Sequence, residues 1–188
     1  GAFLMMPEET STTLLRHRKG EEPSLADDNV NAFCEQSNGE LWIATDNGIS
    51  IYNPPNNRCR QILPGNVVLS ISIDSQDIIA AGTYGNGVFL LNSQGEILHH
   101  YLSTNSSLPS DYLSTVQFDT DRDLWIGTMD NQLLQLEHPT RQWKSYNVIK
   151  ARCIAQKDQD KISGKEEQGV YKKVPQLERE PQQKINNS

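Results

Sequence analysis

Short apolar runs alternate with turn-forming residues along most of this chain, and the runs have the length of β-strands. The segments 41–45, 78–83 and 124–128 are nearly continuous apolar runs, which is typical of strands covered on both faces. Turn sequences such as Ser-Asn-Gly at 37–39 and Asp-Asn-Gly at 46–48 separate them. No window has a helical period with caps. The pattern therefore predicts an all-β fold with little helix.

The runs belong to an internal repeat. Leu-Trp-Ile-Gly-Thr at 124–128 recurs as Leu-Trp-Ile-Ala-Thr at 41–45, an offset of 83 residues, and the segment 80–89 matches 162–171 at an offset of 82. Four units at this spacing fit the period of about 40 to 45 residues that characterises four-stranded propeller blades. Large aromatic residues on a middle strand and adjacent small residues predict packing between blades. The residues assigned to this structural core are Trp42, Trp125, Gly82, Gly87, Gly127 and Gly169.

We expect a single β-propeller over residues 1–188, built from four-stranded antiparallel blades and incomplete as it stands. A half-blade at 2–18 precedes blade one at 25–63, blade two at 66–102, blade three at 108–147 and a degenerate blade four at 149–187. The strands are predicted at 2–6 and 12–18; at 30–35, 41–45, 48–52 and 58–63; at 69–73, 78–83, 87–91 and 96–102; at 113–118, 124–128, 132–136 and 142–146; and at 152–155, 161–164 and 169–173. An incomplete ring exposes the flanks of its end blades, so we expect self-association at the blade-one end.

Composition narrows the choice of partners. The formal net charge is −7 with no stripe rich in Lys and Arg, which argues against nucleic acid as a partner. The three cysteines, Cys34, Cys59 and Cys153, match no metal-ligand spacing, and we interpret them as small buried hydrophobic residues in preference to a disulfide. No apolar run approaches the roughly 20 residues that span a bilayer.

The chain starts Gly-Ala-Phe and shows no signal-peptide pattern, so we expect a piece of a longer protein that meets a membrane only through other parts.

Candidate catalytic and metal chemistry is weak. The acidic run 119–123 resembles the start of a calcium loop, but Leu124 and Asp130 stand where that loop needs Gly and Glu, so a hairpin turn is the better interpretation. The four histidines lack partners at ligand spacing, and no nucleophile elbow or phosphate loop is present. We predict no catalytic residue, no metal and no cofactor.

Binding is the more plausible use of the repeat. Propellers bind on the face formed by the loops between second and third strands and between consecutive blades. Tyr84 offers a flat ring for a sugar, and neighbouring amides and carboxylates offer hydrogen bonds to hydroxyls. The predicted ligand-binding residues are Asp46, Asn47, Tyr84, Asn86, Asp130 and Asn131. The alternative for each of them is a solvated turn.

Residues 38–45 with Gly48, and again residues 119–128, resemble the two-component regulator propeller repeat, whose pattern is Asp, a turn, Gly-x-Leu-Trp-Ile-Gly-Thr and a Gly-Leu strand. That family is found in periplasmic sensor regions of hybrid histidine kinases and related one-component regulators of gut bacteria. The resemblance implies a periplasmic sensor that binds oligosaccharides and regulates polysaccharide utilisation, with many more repeats in the parent protein. It also implies no enzyme activity for this piece, although the parent protein could be a histidine kinase.

The chain departs from the family pattern at several positions. Gln36 and Gln156 replace the Asp, Arg122 replaces the turn Gly, and Ala80 and Ile162 replace the Trp. Two other functions stay open at this point. One is a structural or protein-binding propeller, and the other is a propeller lyase, since streptogramin-lyase-type propellers use a similar repeat.

Overall fold

The computed structural model of this chain describes residues 2–5 and 12–146. These residues form β-strands, turns and a short 3-10 turn at Pro54–Asn56, so the all-β prediction is confirmed. No helix among them is long and apolar enough to cross a membrane. Blade four, with its strands, Cys153 and Gly169, lies outside the described residues.

The strands form one two-stranded hairpin and three four-stranded sheets. In chain order the strands are β1 Ala2–Met5, β2 Thr12–Leu15, β3 Val30–Glu35, β4 Leu41–Thr45, β5 Gly48–Asn53, β6 Arg58–Ile62, β7 Val68–Ile73, β8 Ile79–Thr83, β9 Val88–Leu91, β10 Ile97–Tyr101, β11 Leu113–Phe118, β12 Leu124–Thr128, β13 Leu133–Leu136 and β14 Trp143–Tyr146. We call β3–β6 blade one, β7–β10 blade two and β11–β14 blade three. In each blade the strands pair in chain order and antiparallel, as a meander.

Most strand ends fall within one or two residues of their predicted positions. The largest difference is at β2, which ends at Leu15 instead of residue 18. Beyond Leu15 the backbone leaves the hairpin, because the carbonyl of Arg16 accepts from the Leu25 amide and the His17 amide donates to the Asp28 carboxylate. Local sequence could not show this change of partner.

The blades stack through apolar layers that alternate with the sheets. Trp42 and Ile51 of blade one pack with Ile79 and Leu91 of blade two, and all four side chains are buried. A second layer joins blades two and three, and a third joins Leu15 of the hairpin to blade one. Each blade therefore buries a thin layer on each neighbour, as stacked repeats do.

The two repeat tryptophans differ in burial. Trp42 is fully buried, whereas Trp125 is half-buried and lies against Tyr146, with ring centroids 5.3 Å apart. Trp42 is covered by blade two, but no further sheet among the described residues lies beyond blade three. The three predicted core glycines within the described residues, Gly82, Gly87 and Gly127, are buried.

Candidate functional site

One end of the three blades forms a continuous surface of loops, which we call the loop face. It consists of the turns between second and third strands and of the connections that enter each first strand. The residue after each second strand donates its backbone N–H to the carbonyl of the residue before the first strand of the same blade, at 2.9 to 3.2 Å. These pairs are Asp46 with Asn29, Tyr84 with Val67, and Met129 with Tyr112. The repeat therefore places Asp46, Tyr84 and Met129 at equivalent positions.

A buried threonine at the end of each second strand holds the turn that follows. Thr45 and Thr83 donate their hydroxyls to the carbonyls of Gly48 and Gly87, at 2.8 and 2.7 Å. The same hydroxyls accept backbone N–H groups from within the turn. Gly87 has φ +62°, and a Cβ atom there would lie 2.1 Å from the Tyr101 carbonyl oxygen. The recurring Thr and Gly of the repeat thus fix the shape of the loop face.

An exposed aromatic corner lies where blades two and three meet. Tyr84 and Tyr112 are 55% and 49% exposed, and their rings stand 4.9 Å apart at 78°. Met129, 45% exposed, is joined to Tyr112 through its backbone. No described residue hydrogen-bonds either tyrosine hydroxyl. This corner presents two perpendicular ring surfaces and two free hydroxyls to solvent.

Most of the polar residues predicted to bind ligand are engaged within the loops. The Asp46 carboxylate accepts from the amides of Asn29 and Asn31, at 3.0 and 2.8 Å. The Asn47 side-chain oxygen accepts from the Gly65 backbone, and the Asn86 amide donates to Asn66. These side chains shape the loops and keep only part of their hydrogen-bonding capacity for a ligand.

Asp130 and Asn131 lie in the equivalent turn of blade three. The Asp130 carboxylate accepts from Thr128 and Gln132, and these two hydrogen bonds lower the pKa of the carboxyl group. Asn131 has φ +68°, and its exposed side chain has no hydrogen-bond partner within the described part of the chain. Tyr84 and Asn131 are thus the predicted residues with the freest side chains.

Tyr112 is the main residue that the sequence analysis did not identify. It precedes the first strand of blade three, and the connection that carries it has no motif of its own. Its position could have been found from the repeat alone, because Asn29, Val67 and Tyr112 enter equivalent first strands. Nothing in the local sequence shows that its ring meets Tyr84.

The opposite end of the blades explains two departures from the repeat. Trp42 donates its indole N–H to Gln36 at 2.8 Å, and Trp125 donates to Asp119 at 2.7 Å. Blade two has Ala80 instead of the Trp, and the corresponding Asp74 carboxylate accepts from Arg122 of blade three at 2.7 Å.

The Asp74 and Arg122 side chains are 2% and 19% exposed. A cavity of about 20 Å³ remains beside this pair, lined by Leu90, Phe118 and Leu136 among others. Arg122 therefore supplies, from the neighbouring blade, the N–H donor that the missing indole would have provided.

In the acidic run of blade three, the Asp119 carboxylate accepts hydrogen bonds from its own turn and strand. One oxygen of Asp119 accepts the backbone N–H groups of Asp121 and Asp123, and the other accepts from Trp125. Across the described part of the chain, no group of three or more His, Cys, Asp or Glu side chains is arranged to hold a metal ion.

Comparison with known proteins gives a family match over part of the chain, and it supports the fold. Residues 24–47 match the family described as two component regulator propeller. No curated protein sequence matches the chain. The extracellular domain of a hybrid two component system from B. thetaiotaomicron is 26% identical, with a TM-score of 0.58, over 66% of this chain and 18% of that one. The extracellular domain of a one component system from the same organism is 16% identical, with a TM-score of 0.61, over 73% of this chain and 21% of that one.

Virginiamycin B lyase from Staphylococcus aureus shares the fold at 14% identity, with a TM-score of 0.53, over 65% of this chain and 42% of the lyase. The chain spans about a fifth of the length of the two B. thetaiotaomicron domains. The match at residues 24–47 covers the start of blade one, and the same motif recurs in blade three. Residues 24–47 thus match the two component regulator propeller family, and the described sheets have the fold of β-propeller blades.

Proposed function

We propose that this chain is part of the extracellular, periplasmic sensing region of a two-component signalling protein and that its loop face binds an oligosaccharide. The family match and the similarity to an extracellular domain of a hybrid two component system support the sensor role. In this role the chain binds without catalysis, and ligand binding regulates polysaccharide utilisation through a change in the geometry of sensor dimers.

The proposal that the ligand is a sugar rests on the corner formed by Tyr84 and Tyr112. Sugar rings have apolar C–H faces and a rim of hydroxyls, so they pack on aromatic rings while hydrogen-bonding at the edge. Two exposed rings at 78° can cover one face and one edge of a pyranose. The two tyrosine hydroxyls and the Asn131 amide lie on the same loop face to meet the sugar hydroxyls.

Single-residue truncation at the corner tests this role. A panel of oligosaccharides is screened for binding to the whole chain, and the affinity of each ligand found is then measured by calorimetry. Tyr84→Ala and Tyr112→Ala should each weaken binding by about tenfold, which corresponds to about 1.4 kcal/mol. The melting temperature should change little, because both rings are half exposed.

Ile97→Ala is the matched control, since Ile97 is a large apolar residue 54% exposed on β10, at the end of blade two away from the corner. It should leave affinity unchanged. Absence of binding by any oligosaccharide, or equal affinity of the Tyr84→Ala variant, would reject the proposal. Binding of a protein partner through Tyr84, with no sugar bound, would favour the protein-binding alternative.

A further inference from the structure

The loops around the aromatic corner contain acidic residues but no Lys or Arg. The loops 46–47, 63–67, 84–87, 102–112 and 129–132 contain three carboxylates, Asp46, Asp111 and Asp130, and no Lys, Arg or His. The connection 16–29 also reaches this face beside blade one, and its three cations are outnumbered by four carboxylates. The carboxylates of these loops thus outnumber the basic groups near the corner, where the one basic side chain with a hydrogen bond to the Tyr84 turn among the described residues is His100, whose Nε2 lies 2.9 Å from the Asn86 carbonyl oxygen.

Two of these carboxylates flank the corner directly. Asp111 precedes Tyr112, and its backbone carbonyl accepts from Gly85 and Gly87 in the Tyr84 turn, at 3.1 and 3.0 Å. Its side chain accepts both the backbone N–H and the hydroxyl of Ser103, at 2.7 and 3.0 Å. Asp130 follows Met129 on the other side of the corner. Hydrogen bonds from neutral donors hold both side chains in place without neutralising them.

Fixed carboxylates favour one kind of sugar over another. An ionised carboxylate accepts hydrogen bonds from sugar hydroxyls, and these charge-assisted bonds are stronger than neutral ones. A uronate or sulfate group at the same place would face like charge, and these loops contain no Lys or Arg to pair with it, which suppresses binding. The net charge of −7 adds a long-range repulsion of the same sign.

Building on the sugar-binding role proposed above, we infer that the loop face selects uncharged oligosaccharides and rejects uronic-acid-containing and sulfated ones. Tyr84 and Tyr112 supply the stacking surfaces, and Asp111 and Asp130 supply the acceptors that set the charge preference.

The test compares neutral oligosaccharides of four to eight sugars with partly sulfated and carboxymethylated forms of the same oligosaccharides, by calorimetry at 50 and 500 mM NaCl. The neutral form should bind at least about tenfold more tightly than the charged forms at 50 mM NaCl. This ratio of affinities should fall at 500 mM NaCl because salt screens the repulsion. Asp130→Asn should lower the ratio of affinities by about two- to threefold, because that is the effect of removing one charge at about 7 Å in water.

Asp121→Asn is the matched control, because it removes the same charge at the other end of blade three, where Asp121 is exposed. It should leave the preference nearly unchanged. Equal or tighter binding of the sulfated or carboxymethylated form would overturn the inference and leave the sugar-binding role intact. No binding of either form would reject the sugar-binding role itself.

Discussion

Replacing Arg122 by Gly sets two physical effects against each other. Arg122 has φ +67°, a conformation that favours glycine, and the repeat family has Gly at this turn position. Restoring that Gly would by itself be expected to stabilise the protein. Arg122 also forms the ion pair with Asp74 that joins blades two and three, at 2.7 Å.

The structure indicates that loss of the ion pair is the larger effect. Removing one partner of a buried pair costs about 3 to 5 kcal/mol, and the lower value applies because the Arg122 side chain keeps some contact with solvent. Asp74, only 2% exposed, would keep its bonds from the Gln76 and Ile78 amides but lose its charged donor. Placing Gly at this left-handed backbone position offsets about 1 kcal/mol of that loss in stability. We therefore expect Arg122→Gly to lower the free energy of unfolding by about 2 kcal/mol.

Urea denaturation followed by tryptophan fluorescence measures this difference. Arg141→Gly is the control, because Arg141 has φ +59°, is exposed and has no side-chain partner among the described residues. It should change stability by less than about 1 kcal/mol, towards a gain. Adding Ala80→Trp to Arg122→Gly should recover part of the loss, since an indole N–H can then reach Asp74. An Arg122→Gly protein as stable as the parent would refute the assignment of Arg122 as the substitute donor.

Three further predictions concern burial. Trp42→Ala should cost about 3 to 5 kcal/mol in urea denaturation, and Trp125→Ala clearly less because that ring is half-buried; equal losses would contradict the stacking order. Burial raises the pKa of Cys34 to about 12, and burial together with the Glu22 carboxylate raises that of Cys59 to about 11. Both thiols should therefore resist iodoacetamide at pH 8 and react only as the pH approaches these values; mass mapping that finds rapid labelling at pH 8 would contradict this. Phe33 of blade one is 73% exposed, whereas the equivalent Ile71 and Val116 are buried. We therefore expect the chain to self-associate at the blade-one end, and Phe33→Asp should weaken that association. Light scattering that finds only monomers of the parent chain at about 100 μM would reject this prediction.

The strand pattern followed from the sequence because its determinants are local and repeated. The Leu-Trp-Ile runs, the Asn-Gly turns and the offset of 83 residues placed most strand ends within one or two residues. The loop face could also be located, because antiparallel strands in a meander bring the same loops to the same edge. For the same reason, Tyr84 could be identified as an exposed residue of that face.

Tertiary structure decided which side chains meet across blades. Tyr84 and Tyr112 lie 28 residues apart, and Asp74 and Arg122 lie 48 apart, so neither pair is visible in a local pattern. Blade stacking also made equivalent repeat positions unequal, because it buries Trp42 fully but Trp125 only partly. A repeat specifies its own strands and turns through neighbouring residues, whereas burial and pairing depend on which blade lies against it.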